Sequence, residues 1–241
     1  MKTNTLKQLL GLAILSVIVL TTSCQKSEKA KTSTTWTKTY RNVILGDQKN
    51  YQIGHFFKPK TGEVIAVESA QSQQNALAMV MYTEYGNGVL FTFPGNAYEA
   101  TGFKDDLAQN RLFTQNPGGM NNWDQSNLNS GEIATAATLD RKMSNAEFET
   151  LATGNDWTAF DSKFKEYNGG DPNLFSITYA IPNLGDVYLV QLNSSVRAFV
   201  YVKNIVPVSA NGGSIKFDIV IEGSKAFSTN DNANKLQPSK D

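Results

Sequence analysis

Histidine and cysteine are nearly absent from this chain, and neither sign of charge predominates. One His and one Cys among 241 residues exclude an intramolecular disulfide, a pair of histidine haem ligands and the usual zinc site of three or four Cys/His ligands. Lys and Arg together number 22, as do Asp and Glu. A net charge of zero also excludes the strongly basic surface that nucleic-acid-binding proteins need, so we expect no nucleic-acid partner.

The main apolar run is too short to cross a membrane. Leu9 to Leu20 spans 12 residues, interrupted only by Gly11 and Ser16, whereas a transmembrane helix needs about 20. The run follows Lys2 and Lys7, which is the arrangement of a secretory signal with a basic start and a short hydrophobic segment. This pattern predicts a signal peptide over residues 1–23.

The single cysteine, Cys24, stands directly behind this run. Thr21, Thr22 and Ser23 precede it, and small residues in these positions resemble the bacterial lipobox, with the usual Leu displaced by one position to Leu20. The resemblance implies cleavage after Ser23 and attachment of lipid, including a palmitate-type acyl chain, to Cys24. The alternative is an ordinary cleaved signal followed by a chance cysteine. Lipidation anchors a protein to a membrane without a spanning segment.

The rest of the chain divides into three parts by composition. Residues 24–35 are polar and read as a flexible tether. Residues 36–227 carry most of the apolar side chains and are predicted to form a single β-rich domain, because 40% hydrophobic and 18% charged residues are enough for a packed core. Residues 228–241 are again polar and read as a tail.

Strand patterns dominate the first half of the domain. Every second position from 51 to 57 carries a larger side chain, which predicts one strand with these residues on one face. The residues are Tyr51, Ile53, His55 and Phe57. A turn at Pro59–Gly62 is expected to return the chain along 63–67. A short helical turn over 68–74 and two buried strands, 76–82 and 89–93 around a turn at 86–88, are expected to follow.

The middle of the chain predicts a loop and two short helices. Residues 104–132 are polar and read as a long loop. Ser144 and Glu147 have the spacing of a capping box, which starts a helix. A second helix is expected from about Asp156, with an apolar stripe that packs on a sheet. The stripe consists of Trp157, Phe160 and Phe164.

The last third predicts a three-stranded antiparallel meander. Its strands are 187–192, 197–206 and 215–222, joined by a turn at 193–195 and a Gly-containing loop at 209–213. We expect Ile215, Phe217, Ile219 and Ile221 to face the core, and the alternating residues Lys216, Asp218 and Glu222 to face water. The predicted fold class is mostly β, an antiparallel sheet or sandwich with two short helices in the middle of the chain.

Two stretches of the chain resemble Bacteroidota surface lipoproteins of mostly β fold, a loose family that includes the haem-binding HmuY type. One stretch is Phe56–Val64 with the strand 76–82, and the other combines 186–191, 198–206 and 213–218. The resemblance implies a mostly β fold with few helices and an N-terminal lipid anchor. The charged stretch Gln25–Lys29 resembles the surface-export signals of the same lipoproteins, so we expect an outer-membrane protein displayed on the cell surface. In the haem binders, a pair of His or a pair of Met holds the iron. His55 matches neither ligand position, so the resemblance transfers no ligand residue.

The candidate binding residues lie in the predicted loop. Phe113, Met120 and Trp123 are apolar residues in a polar segment, and they either stack on a ligand or plug into the domain surface. A Met120 ligand to haem would need an axial partner, for which Met79, Met81 and Met143 are the candidates. We interpret His55 as a buried, hydrogen-bonded core histidine.

The acidic residues give little reason to expect catalysis. Adjacent Asp105 and Asp106, and the helical pairs Glu147/Glu149 and Asp156/Asp161, are carboxylates of the kind glycosidases use, but their spacing places none across a cleft. Residues 124–132 are rich in side chains with oxygen atoms, but these side chains do not follow the alternating spacing of acidic ligands in a calcium-binding loop. The sequence therefore predicts a non-enzymatic surface lipoprotein that binds a small ligand or another envelope protein, with no cofactor. The alternatives are haem capture and a carboxylate-dependent hydrolase.

Overall fold

The structure is a computed structural model, and it describes eight segments of the chain within the unit Thr35–Asp241. These segments are 37–84, 88–99, 111–134, 143–168, 175, 177–192, 196–207 and 209–223. The predicted signal peptide, Cys24, the tether, the polar tail, Asp105, Asp106, the centre of the turn at 86–88 and the turn at 193–195 lie outside them.

Two antiparallel sheets of five strands each make up the described fold. Sheet I has the strand order β1-β10-β9-β8-β6, and sheet II has the order β3-β2-β4-β5-β7. The mostly β class is confirmed, and its form is a sandwich. The strands are β1 (Thr37–Gly46), β2 (Phe56–Lys58), β3 (Glu63–Ile65), β4 (Met79–Glu84), β5 (Gly88–Thr92), β6 (Gly131–Ala134), β7 (Tyr179–Ala180), β8 (Val187–Leu192), β9 (Val196–Val206) and β10 (Ser214–Glu222).

The helices of the described segments are short. They are α1 (Val67–Ala70), α2 (Pro94–Glu99), α3 (Arg111–Thr114), α4 (Asn145–Gly154) and α5 (Trp157–Asn168), with 3₁₀ turns at Gln71–Ala76, Met120–Asn122 and Gln125–Asn127. Within this part of the chain, no helix has the length and apolar character needed to cross a membrane.

The main core lies between the two sheets. The prediction for the inward face of the C-terminal strand is confirmed. Ile215, Phe217, Ile219 and Ile221 on β10 are at most 1% exposed. They pack in one cluster with side chains of sheet II such as Phe57, whose ring meets that of Phe217 edge to face at 6.0 Å. The meander is confirmed as well, because β8, β9 and β10 are neighbours in sheet I.

Two further apolar clusters cover the outer faces of the sheets. On sheet I, α4 and α5 pack against outward-facing residues of β8, β9 and β10, including Phe199 and Val220. On sheet II, α1 and the segment 112–128 pack against Phe56 and Val80. Both sheets are therefore buried on both faces, which accounts for the nearly continuous apolar runs of strands such as 187–192.

The expectation that β10 has a water-facing side is wrong for two of its three residues. Asp218 and Glu222 are 0% exposed, and only Lys216 is partly exposed. The physical reason is that α4 and α5 cover this face, while basic side chains from neighbouring strands supply the charge that a buried carboxylate requires.

Asp218 joins three strands and a helix. Its carboxylate accepts hydrogen bonds from the Asn42 backbone N–H at 2.7 Å, Arg41 at 2.8 Å and Lys203 at 3.2 Å. Arg41 also donates two hydrogen bonds of 2.8 Å to Glu149 on α4. Burial raises the pKa of Asp218, but these hydrogen bonds outweigh it, so that the pKa lies below the usual value.

Arg197 makes the corresponding contact for α5. Its guanidinium donates to buried Glu222 at 3.0 Å and to Asp161 on α5 at 2.7 Å. The same group lies over the predicted apolar stripe of α5, within 5.7 Å of each ring centroid. These rings belong to Trp157, Phe160 and Phe164.

Both predicted helices are confirmed, and so is the way the second one packs. Ser144 and Glu147 form the capping box that starts α4. In α5, the rings of Phe160 and Phe164 meet Phe199 of β9 edge to face, at 5.2 and 5.5 Å.

The early strands differ from the sequence prediction in their limits. The strand expected over 51–57 is wrong for residues 51–55, because β2 starts at Phe56 and Tyr51–Ile53 lie in bends. The turn at 59–62 is confirmed, with Gly62 at φ +80° and packed so closely on Tyr40 that a side chain would clash. The predicted return strand, 63–67, stops at Ile65, and Val67 begins α1.

We expect Phe217→Ala to lower the free energy of unfolding by about 3–5 kcal/mol, because it leaves a cavity between the two sheets. The control Lys216→Ala, at the neighbouring and partly exposed position, should change it by no more than about 0.5 kcal/mol. Urea unfolding followed by tryptophan fluorescence measures both, and equal losses would contradict the observed register of β10.

Candidate functional site

The three candidate binding residues of the predicted loop are packed inside the domain. Phe113, Met120 and Trp123 are 4%, 0% and 5% exposed and belong to the cluster on the outer face of sheet II. The Trp123 ring lies 5.0 Å from that of Phe56, and its Nε1 donates to the Gly118 carbonyl at 2.7 Å. Of the two interpretations left open, this placement favours packing, since such side chains offer little area to a ligand.

Hydrogen bonds fix the described part of this loop to the segment that precedes β4. Gln71 Nε2 donates to the Asn122 carbonyl at 2.7 Å, and Gln74 Oε1 accepts from the Asp124 N–H at 2.9 Å. Asn129, 0% exposed, donates to the carbonyl of Leu77 at 2.8 Å. The described residues 111–134 thus form an ordered cover over sheet II that ends in β6.

The methionine sulfur atoms, which are the candidate haem ligands, lie in three separate apolar clusters. The four described methionines are at most 4% exposed. Met79 and Met81 lie between the sheets, Met120 lies on the outer face of sheet II, and Met143 lies on the outer face of sheet I. Methionines from different clusters therefore do not meet at an exposed surface of the described domain.

The described candidate carboxylates all stabilise the fold. Glu149 pairs with Arg41, and Asp161 pairs with Arg197 and Lys165. Asp156 caps the start of α5 by accepting from the Thr158 N–H at 2.8 Å.

Glu147 has the wrong protonation state for a general acid. Hydrogen bonds from the backbone and side chain of Ser144, followed by those from Lys163 and Tyr167, lower its pKa to about 2. A general acid needs a pKa near the working pH, so Glu147 is suited to capping its helix and pairing with α5.

The oxygen-rich segment 124–132 uses its acidic side chain internally. Asp124 accepts from Ser126 N at 3.0 Å and from Asn127 Nδ2 at 2.8 Å. Among the described residues, no group of three or more His, Cys, Asp or Glu side chains is arranged to hold a metal ion.

His55 is the most unusual titratable group in the described chain. It is 1% exposed, and its Nε2 lies 3.3 Å from Nη1 of Arg111 on α3. Because a guanidinium only donates, His55 Nε2 must accept and the ring must be neutral. The interpretation of His55 as a buried, hydrogen-bonded core histidine is confirmed.

Arg111 connects His55 to two other segments. Its guanidinium forms an ion pair with Glu68 of α1 and lies over the ring of Tyr51, 4.2 Å from the centroid. Tyr51 is 74% exposed, the largest fraction among the exposed large hydrophobic side chains. The largely buried guanidinium of Arg111 therefore supports an exposed aromatic ring.

The loop that carries Tyr51 is held by side-chain caps. Asn50 Oδ1 accepts from the N–H groups of Gln52 and Ile53, both at 3.1 Å, and Asn50 Nδ2 donates to the Gly213 carbonyl at 3.3 Å. Gly212, at φ +85°, approaches buried Asp47 so closely that a side chain would clash. These contacts connect the loop to the β9–β10 turn.

Sequence reasoning missed this group because its members are far apart in the chain. Tyr51 was placed on a strand face by its alternation with Ile53 and His55, and Arg111 lies 60 positions beyond it. The one local signal was Asn50 next to Tyr51, since Asn side chains cap turns and interrupt strands.

Comparison of the chain with family models, curated proteins and solved structures gave no match. At the candidate site, the exposed ring of Tyr51 lies over the Arg111 guanidinium, which contacts buried His55 and pairs with the exposed Glu68.

The buried histidine predicts a specific loss of stability in acid. Burial, and then the charge of Arg111, lower the pKa of His55 from 6.5 to about 4. Between these values the unfolded chain binds a proton that the native protein does not, so stability present above pH 6.5 falls with pH. From pH 7.5 to 5.0 we expect this group to contribute a loss of about 2 kcal/mol.

His55→Gln, which keeps a neutral acceptor for Arg111, serves as the matched control. Urea unfolding of both proteins at the two pH values isolates the histidine contribution from that of the carboxylates. The same pH dependence in both proteins would show that His55 is not held neutral in the native state.

We expect the purified chain to bind haem weakly or not at all. Six-coordinate binding needs two axial ligands from His, Met, Cys or Tyr, and His55 and the described methionines are each at most 4% exposed. A haem titration should therefore show no ligand-dependent shift of the Soret band. Micromolar or tighter binding that His55→Ala or Met120→Ala abolishes would restore haem capture as the leading function.

Proposed function

We propose that this chain is a lipid-anchored protein of the bacterial outer membrane, displayed on the cell surface, whose β sandwich has a binding role without catalysis. The observation that carries the proposal is the position of Cys24. It is the only cysteine in 241 residues, and it stands directly behind a 12-residue apolar run and three small residues. A lipid on Cys24 would make the membrane a permanent partner through the anchor.

The spacing between Cys24 and the sandwich supports an anchored arrangement. The first strand begins at Thr37, 13 residues after Cys24. Fully extended, such a segment reaches about 45 Å at most. The intervening residues are mainly Lys, Ser, Thr and Glu, a composition suited to a hydrated tether.

The strand register gives the described domain two distinct ends. Thr37 pairs with Glu222 at one end of sheet I, and Gly46 pairs with Ser214 at the other end. Ten residues of β1 separate them by about 30 Å. β1 therefore begins at one end of the sandwich, and the loop with Tyr51 lies at the opposite end.

The contacts of the candidate carboxylates favour a binding role over a catalytic one. The described candidate carboxylates cap helices or pair with Arg and Lys, which is structural work. Single exposed apolar side chains are ordinary on a protein surface, so a site of interaction is expected where other residues hold such a side chain in place. Tyr51, the most exposed of these side chains at 74%, is held in this way by Arg111 and Asn50. Another envelope protein or a small ligand is the partner that such a surface would serve.

Replacing the cysteine tests the anchor. In cells fed an alkyne-tagged fatty acid, wild-type protein should be labelled and recovered with membranes, and Cys24→Ala should lose both properties because the acceptor sulfur is gone. Ser23→Ala is the matched control, since it keeps a small residue before the cysteine and should behave as wild type. Equal labelling or equal membrane recovery of Cys24→Ala would refute lipidation at this position.

A further inference from the structure

Tyr51 has an aromatic ring with one supported face and one open face. The Arg111 guanidinium covers the supported face, 4.2 Å from the ring centroid. The side chain is nevertheless 74% exposed, so the opposite face lies toward solvent. Exposing a ring this fully forgoes the hydrophobic gain of burial, and the domain retains it in a fixed position.

Several contacts keep the ring in place. Arg111 is itself held by Glu68 and by the neutral ring of His55. The backbone on either side of Tyr51 is held by Asn50, which accepts from the N–H groups of Gln52 and Ile53. A ligand that stacks on Tyr51 would therefore immobilise little that is not already ordered, which lowers the entropic cost of binding.

The surroundings of the ring discriminate between classes of ligand. A small apolar molecule requires a concave pocket that removes most of its surface from water, and a ring exposed to 74% does not provide one. Lys49 and Gln52, which flank Tyr51, are both exposed and offer ammonium and amide groups. A flat aromatic face beside such hydrogen-bonding groups matches a sugar ring, which has an apolar face of C–H groups and a rim of hydroxyls.

We propose that Tyr51, supported by Arg111, is a stacking platform for a carbohydrate ligand. This inference rests on the binding role proposed above and names its ligand class. The platform lies at the end of the sandwich opposite Thr37, and on a domain displayed at the cell surface it would be accessible to glycans outside the membrane. The C–H face of a sugar would lie on the open face of Tyr51, with its hydroxyls within reach of Lys49 and Gln52.

Affinity electrophoresis tests the platform on the full-length chain purified in detergent. Native gels would contain dextran, laminarin, arabinoxylan or yeast mannan as the probe. Wild-type protein should be retarded by at least one polysaccharide, and Tyr51→Ala should weaken that binding by about tenfold or more, the equivalent of one lost aromatic contact. Tyr51→Trp, which keeps a stacking face, should retain it.

Tyr179→Ala is the matched control, because Tyr179 is also an exposed tyrosine, at 45%, but lies on β7 of sheet II. It should migrate as wild type in every gel. Migration of wild type unaffected by all four polysaccharides, or equal retardation of Tyr51→Ala, would overturn the proposal. Loss of lipid labelling in cells would instead count against the anchor alone, because the gels measure a chain already removed from its membrane.

Discussion

The burial of both faces of each sheet is the constraint on which the rest of this structure depends. Sheet I is covered inside by sheet II and outside by α4 and α5, so every side chain of β10 except Lys216 is buried. An isolated carboxylate in that position would carry a large desolvation penalty. Asp218 and Glu222 avoid it by pairing with Arg41, Lys203 and Arg197. Arg41 also pairs with Glu149 of α4, and Arg197 also pairs with Asp161 of α5. The arginines that compensate the buried carboxylates therefore also attach the two helices to the sheet.

A related arrangement on the other side of the molecule creates the candidate site. Arg111 enters the edge of the domain at 14% side-chain exposure and is compensated by Glu68. Its charge and the surrounding protein keep His55 neutral, which makes the imidazole an acceptor for the guanidinium. The remaining face of the guanidinium is covered by Tyr51. A fold-stabilising ion pair thereby fixes an exposed aromatic ring, and a structural contact becomes the support of a binding surface.

The candidate site was predictable only in part. The sequence identified 104–132 as distinctive, and within it Met120 and Trp123 as apolar residues that either bind or pack. They pack because Phe56 and Val80 of sheet II lie beneath them. The local sequence around Met120 and Trp123 does not indicate this contact, since it joins residues that are distant in the chain. Tyr51 was misplaced because alternation with Ile53 and His55 is typical of a strand, whereas the Asn50 side chain, bonded to the two backbone N–H groups beyond the tyrosine, bends the chain there.

The sequence by itself determined the class of fold, the limits of the C-terminal strands and the two helices, because these depend on local periodicity, caps and turn residues. Strand 187–192, the capping box at Ser144 and the inward face of Phe217 are of this kind. Only the tertiary structure decided which alternate faces are wet, as at Asp218, and which distant residues meet, as at Tyr51 and Arg111. Burial and charge pairing join elements that are remote in the chain, and they exist only once the sheets and helices have packed.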